Sequence, residues 1–327
     1  MAWDVHYRKG VWLPQIGWWL DAQARTPRSF VSHAHADHMA RHPEVLCTAA
    51  TARLMQARLP GRRAETVLPF GRAHALDFTT TATLHPAGHM LGSSQIQLDH
   101  AEHGSLLYTG DFKLRPSHAA EPCATPRADV LVMETTFGLP RYVFPPEAET
   151  IARIITFCQE TLAAGATPVL LCYSLGKSQE VLRALAPAQL PVMLHAETLR
   201  LTQVCQRLGM TFPAFREFDA QALAGHVVLC PPFANGLLNR IPSRRTAALT
   251  GWALDPGALY RLRCDAAFPL SDHAGFDDLL TFVERVQPRR ILTLHGFARE
   301  FAQTLRTRGW DAIAIGQGNQ LEFKLSG

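Results

Sequence analysis

A chain of 327 residues that is 47% hydrophobic and 18% charged can bury a large core, which excludes the disordered and fibrous classes. The formal charge of +4 permits a polyanionic partner without requiring one. Seven cysteines, an odd number with no C-x-x-C pair, read as reduced buried thiols. No apolar stretch nears the roughly 18 residues that cross a bilayer, so the expectation is a cytoplasmic protein without a membrane partner.

In chain order, short strands are predicted over 29–32, 80–85, 94–98, 105–109 and 130–133, broken by Gly, Pro and Asp turns. This portion reads as mostly sheet. Pro140, Pro145 and Pro146 mark a change of pattern, after which helix and strand alternate. Helices are predicted over 147–164, 177–186 and 197–208, with strands over 169–172, 192–195 and 227–230. Such alternation belongs to a parallel sheet covered by helices. After Arg245 a different pattern returns: 268–273 leads into a helix, and 291–295 reads as a buried strand. The helical block is therefore an expected insertion.

The segment Ser32-His33-Ala34-His35-Ala36-Asp37-His38 places three imidazoles and a carboxylate directly after a strand. Few structural roles need that density, whereas zinc or manganese is held by such donors. Further ligands are expected at other strand ends. His89 lies in Gly88-His89-Met90-Leu91-Gly92-Ser93, Asp111 ends Tyr108-Thr109-Gly110-Asp111, and His295 ends Leu292-Thr293-Leu294-His295. Asp111 has two oxygens with which to bridge two cations. Asp21, after Trp18-Trp19-Leu20, is either a turn cap or a carboxylate that orients the ligand loop.

In this order, Asp21, the His33-to-His38 loop, His89, Asp111 and His295 resemble the ligand motifs of the metallo-β-lactamase superfamily. Glu134-Thr135-Thr136-Phe137-Gly138, Phe268-Pro269-Leu270-Ser271-Asp272-His273 and Leu294-His295-Gly296 narrow the resemblance to its β-CASP nuclease group. Within that group the chain is most similar to small bacterial ligase-associated DNA exonuclease and RNA 3′-end-processing-factor-like proteins. The resemblance implies an α/β fold: a metallo-β-lactamase αββα sandwich from 1–144 and 246–327, with an α/β cap domain inserted over 145–245.

It also implies a binuclear phosphodiesterase. Two divalent ions, zinc foremost and manganese as the alternative, would be held by His33, His35 and His89 on one side and Asp37, His38 and His295 on the other. Asp111 and a hydroxide would bridge them for in-line attack on phosphate. Asp37, His273 and Glu134 would be catalytic, with His273 the proton donor to the leaving oxygen and Glu134 its anchor. Ser93, Lys177, Arg244 and Arg245 are the expected substrate-binding residues. The implied partner is single-stranded DNA or RNA, with DNA favoured, and a repair ligase or helicase beside it. Two other readings stay open, a small-substrate metallohydrolase and a catalytically silent nucleic-acid-binding scaffold.

Overall fold

A computed structural model describes residues 3–315 of the chain. The chain forms two units, one holding the sequence up to Tyr142 and again from His273, the other Val143–Asp272. The predicted return at 246 is thus too early. The strands Arg244–Leu249 and Ala266–Phe268 pair in parallel with each other, and the first pairs with Thr167–Leu171. Both belong to the inserted unit because the apolar run 246–249 is buried only when strands flank it on both sides. Residues 1–2 and 316–327 of the predicted first domain lie outside the described residues.

The first unit contains two sheets. One has six strands in chain order: His6–Tyr7, Val11–Leu13, Trp18–Leu20, Arg28–Phe30, Glu44–Cys47 and Ala64–Val67. The other runs Ala312–Ala314, Arg290–Leu294, Val130–Glu134, Gly104–Tyr108, Ser94–His100, Thr80–Pro86, His74–Ala75. Side chains alternate across a strand, and the core follows that period. Leu106, Tyr108, Val130 and Val132 pack inward with Leu13, Leu20, Phe30 and Leu46 of the six-stranded sheet. Leu107, Leu131 and Met133 point the other way, onto Phe276–Val286 and Ala298–Thr307 through Leu279, Phe282, Phe301 and Leu305. The helix Ala49–Arg58, which packs at Ala64–Val67, covers the first sheet. The result is an αββα sandwich. That helix is missing from the sequence reading, since AATARLMQAR segregates apolar from polar residues only weakly.

Strand direction gathers the strand-end loops along one edge. Gly104–Tyr108, Val130–Glu134 and Arg290–Leu294 are parallel neighbours, with Tyr108 level with Val132 and Val132 with Leu292. Thr80–Pro86 is antiparallel to Ser94–His100, itself antiparallel to Gly104–Tyr108, so two reversals restore its direction. The residues after Pro86, Tyr108, Val132 and Leu292 therefore emerge together, at the carboxyl ends where such sheets carry their ligands.

In the second unit all six strands are parallel, in the order Phe215–Glu217, Val192–Leu194, Val227–Cys230, Thr167–Leu171, Arg244–Leu249, Ala266–Phe268. Leu170, Leu194 and Leu229 fill one face with the helices Glu147–Ala163 and Lys177–Ala184, and Val169, Leu171, Met193 and Val228 fill the other. Burial on both faces explains the unbroken apolar strands. All seven cysteines are free, five of them buried. Among the described residues no helix is long and apolar enough to cross a membrane.

Candidate metal centre

The loop after Arg28–Phe30 folds back so that His33, His35 and His38 face the gathered strand ends. His35 Nδ1 lies 2.9 Å from His33 Nε2 and 3.1 Å from His89 Nε2. One donor atom each from His33, His35, His89 and Asp111 falls within 4.8 Å of the others. Nitrogens around a tetrahedral zinc at 2.0–2.1 Å would lie roughly 3.3 Å apart. The donor set and its spacing therefore fit a divalent ion. Asp111 Oδ2 is 3.6 Å from His33 Nε2 and 3.1 Å from His38 Nε2, and Asp37 Oδ2 is 3.8 Å from the same His38 nitrogen. One oxygen of Asp111 thus stands between two groups of ligands. The His295 ring lies 6.0 Å from that of His38, centroid to centroid.

Beneath this surface Asp21 is a hub. Its Oδ1 accepts from Ser32 N at 2.7 Å, while Oδ2 accepts from Ser32 Oγ at 2.6 Å and from the Tyr108 hydroxyl at 2.9 Å, and lies 2.8 Å from His38 Nδ1. Holding Nδ1 leaves His38 Nε2 turned toward Asp111, the use of a carboxylate behind a ligating histidine. Of the two roles left open for Asp21, orienting the loop is the one its contacts serve. Asp21 and His295 both have left-handed backbone, with φ of 48° and 61°. Such conformations cost on the order of 1–3 kcal/mol and persist where the surroundings fix them. At His295 the fixing is visible: Thr135 Oγ1 donates to His295 O at 2.7 Å, and Thr135 N donates to Leu294 O at 2.9 Å. Gly110, with φ of 55°, passes so close to Ser32 that a Cβ would stand 2.5 Å from the serine Cβ.

Burial, reinforced by His38, His35 and His89, pushes the pKa of His33 well below the usual histidine value. Its imidazole is neutral and offers a lone pair. His38 is the opposite case. Burial works against its charge, but Asp111, Asp37 and Asp21 together raise it well above the usual value. Burial likewise opposes ionisation of Asp111, yet His38, His273 and His33 hold its carboxyl well below the ordinary range. Burial lowers His295.

Glu134 and His273 form a second pair beside Asp111. Glu134 is 1% exposed, and its Oε1 lies 2.8 Å from His273 Nδ1 while accepting from Phe112 N at 3.1 Å; Oε2 accepts from Thr136 N at 3.1 Å. Donor atoms of Asp111, Glu134 and His273 again fall within 4.8 Å of one another.

Two expected substrate contacts are overturned. Ser93 is fully buried and its Oγ accepts from the backbone of His89 at 3.2 Å and Met90 at 3.1 Å, so it shapes the His89 loop instead of touching a substrate. Lys177 is 1% exposed; its Nζ donates to Leu270 O at 3.0 Å and pairs with Asp272 at 3.3 Å and Glu180 at 3.5 Å. Its charge is spent inside the protein. Arg244 is exposed, but Arg245 turns inward over the Phe157 ring at 4.9 Å. Successive strand residues face opposite ways, so the two cannot share a role. Sequence reasoning missed Tyr108, whose hydroxyl supports Asp21, and Tyr7, whose ring meets His295 edge-on at 6.0 Å. Tyr7 sits in no motif, and Tyr108 enters the sequence reading only as part of the segment that ends at Asp111. The only signal for Tyr108 was its place at the end of a strand that leads to Asp111.

A family model described as "Zn-dependent metallo-hydrolase RNA specificity domain" matches residues 260–315. A protein named "Probable DNA ligase" from Opitutus terrae is 61% identical over 325 residues, 99% of this chain and 32% of its own length. The 5′ exonuclease Apollo of Rattus norvegicus is 27% identical over 312 residues, 87% of this chain and 54% of its own. The transcription termination factor FttA of Pyrococcus abyssi is 34% identical over 122 residues, 36% of this chain and 19% of its own. The chain thus spans about a third of the ligase and about half of Apollo.

Proposed function

The chain belongs to the β-CASP group of the metallo-β-lactamase superfamily, and on that premise we propose that it is a metal-dependent phosphodiesterase that degrades nucleic acid, as an exonuclease on single-stranded DNA. The observation that carries this reading is the convergence of the His33, His35, His89 and Asp111 donors with the Glu134–His273 pair beside them. A small-substrate hydrolase would need the first group but not the second.

His33, His35 and His89 would hold one ion and Asp37, His38 and His295 the other, with Asp111 shared. Two such ions, zinc by the histidine-rich set and manganese as the alternative, supply Lewis acidity toward a phosphoryl oxygen and lower the pKa of a water. Asp37, whose side chain is largely exposed, would orient a water for in-line attack on phosphorus. His273 delivers a proton from Nε2 to the departing sugar oxygen, and Glu134 holds Nδ1 and stabilises the charged ring. Asp21 keeps His38 aimed.

The 61% identical relative named as a ligase supports DNA as the substrate and a DNA ligase as the partner. RNA is the second reading, favoured by the description of the family model over 260–315 and by the termination factor. End-labelled single-stranded DNA and RNA of matched sequence, incubated with the protein and zinc or manganese, test both. A ladder on one polymer, absent with Asp37→Ala and His273→Ala, is the expected result. Cleavage of neither polymer by the wild type would reject the proposal, and binding without cleavage would leave a scaffold.

A further inference from the structure

Within the second unit, a cavity of about 790 Å³ opens beside the strand Arg244–Leu249, with Arg244, Leu259, Tyr260, Arg261, Arg263 and Asp265 in its wall. We infer that this cavity binds a single-stranded segment of nucleic acid. The inference deepens the phosphodiesterase reading and rests on it for the class of ligand.

Three guanidiniums converge there. Arg244 is held by donation from Nη1 to Ile241 O at 2.7 Å, and Arg261 is paired with Asp255 at 2.7 Å. Asp265 is engaged by Thr246 N at 2.7 Å and Thr246 Oγ1 at 2.9 Å. Three arginines against two carboxylates leave the wall cationic. Tyr260 and Leu259 are 89% and 49% exposed on the short helix Ala258–Leu262, so an aromatic face is available beside the guanidiniums. A cationic groove with an exposed aromatic face is the combination that holds single strands, phosphates on the guanidiniums and a base on the ring. The pleat explains the choice of residues, since it sends Arg244 to the cavity and Arg245 onto Phe157.

Arg244 opens its strand and Asp265 immediately precedes the parallel strand Ala266–Phe268, so the cavity lies at the amino ends. The chain leaves the carboxyl end of Ala266–Phe268 to reach His273 by way of 269–272. Within the second unit the cavity is thus at the opposite end of the sheet from the segment that runs on to His273. Phosphate and base-face contacts do not read the 2′-hydroxyl, so DNA and RNA both fit.

The test compares wild type with Tyr260→Ala, Tyr260→Phe and Arg263→Glu, with thermal melting as the check on folding. Fluorescence anisotropy gives Kd for labelled oligothymidylate and oligouridylate of about twenty nucleotides. Steady-state kinetics on the oligonucleotide and on bis(p-nitrophenyl) phosphate give KM and kcat. Tyr260→Ala and Arg263→Glu are expected to raise Kd and KM for the oligonucleotides about tenfold, while Tyr260→Phe stays near wild type. Arg263→Glu should also lower the salt slope by about one. Turnover of the small diester should not change. Oligonucleotide Kd within twofold of wild type in both variants, equal losses on the small diester, or no oligonucleotide binding by the wild type would overturn the inference. Should the wild type bind oligonucleotide but cleave neither substrate, the phosphodiesterase reading falls while the Kd comparison still decides the cavity.

Discussion

The two units use the carboxyl ends of their strands in opposite ways. In the first, His89 and Asp111 follow strands that run the same way, and their donor atoms fall within 4.8 Å of those of His33 and His35. In the second, the one cation at the same position, Lys177, is closed off by Leu270 O, Asp272 and Glu180. The difference lies in the chain that follows each strand. Short loops with left-handed turns at Gly110 and His295 bend side chains back over the sheet edge, whereas Lys177 opens a helix that carries it into the core. Convergence of several metal-binding side chains marks a candidate binding centre, and a lysine enclosed by its own partners marks architecture.

That contrast can be broken most forcefully at Asp111. Asp111→Asn removes the shared anion and should reduce both bound metal, read by elemental analysis, and cleavage by a thousandfold or more; full activity would mean that the convergence is structural. His273→Ala should lower kcat about 10²- to 10⁴-fold while metal content stays at the wild-type level, and metal loss would instead assign His273 to the ligand set. In the second unit, Lys177→Met strands two buried carboxylates and should cost about 3–5 kcal/mol in denaturant titration, with the salt slope of oligonucleotide binding unchanged. A reduced slope would return Lys177 to the substrate. Ser93→Ala leaves the His89 and Met90 N–H groups short of an acceptor and should cost about 1–3 kcal/mol.

The smallest effect is electrostatic. In metal-free protein the pKa of His38 is raised, so its contribution to stability is fully present below the usual histidine value and is lost as pH climbs through the folded value. Asp111 is depressed, so its contribution is present above the usual carboxylate value and is lost as pH falls through the folded one. If His38 is a ligand as proposed, a cation would replace its proton. Loading near pH 7 should therefore release about one proton, and affinity should rise about tenfold per pH unit until the folded pKa of His38 is passed. Calorimetry in two buffers of different ionisation heat measures the release, and identical heats would contradict it.

The cluster of His33, His35, His89 and Asp111 was legible because metal-binding chemistry needs particular atoms, and the chain carries them at strand ends where spacing survives folding. His33, His35 and His38 announce themselves in one loop, and His89, Asp111 and His295 each end an apolar run. Lys177 and Ser93 were misread for the same underlying reason. A sequence shows which groups a residue carries but not whether neighbours have used them, and both are satisfied by partners that only folding brings near, Leu270 and Asp272 for the lysine and the His89 loop for the serine. The second unit's far boundary was missed because Ala266–Phe268 is three residues long, too short for period 2 to register. Arg244 and Arg245 looked equivalent until the pleat separated them.

The first unit is assembled from two stretches of chain with the second unit between them, and this imposes a schedule on synthesis. His33, His35, His89 and Asp111 leave the ribosome early, but His273 and His295 follow only after the whole inserted unit. At about 5–20 residues per second, the interval is on the order of ten seconds or more. Of the residues in the proposed site, the four whose donor atoms cluster together are thus made well before His273 and His295, and that proposed site would be whole only once His295 is in place.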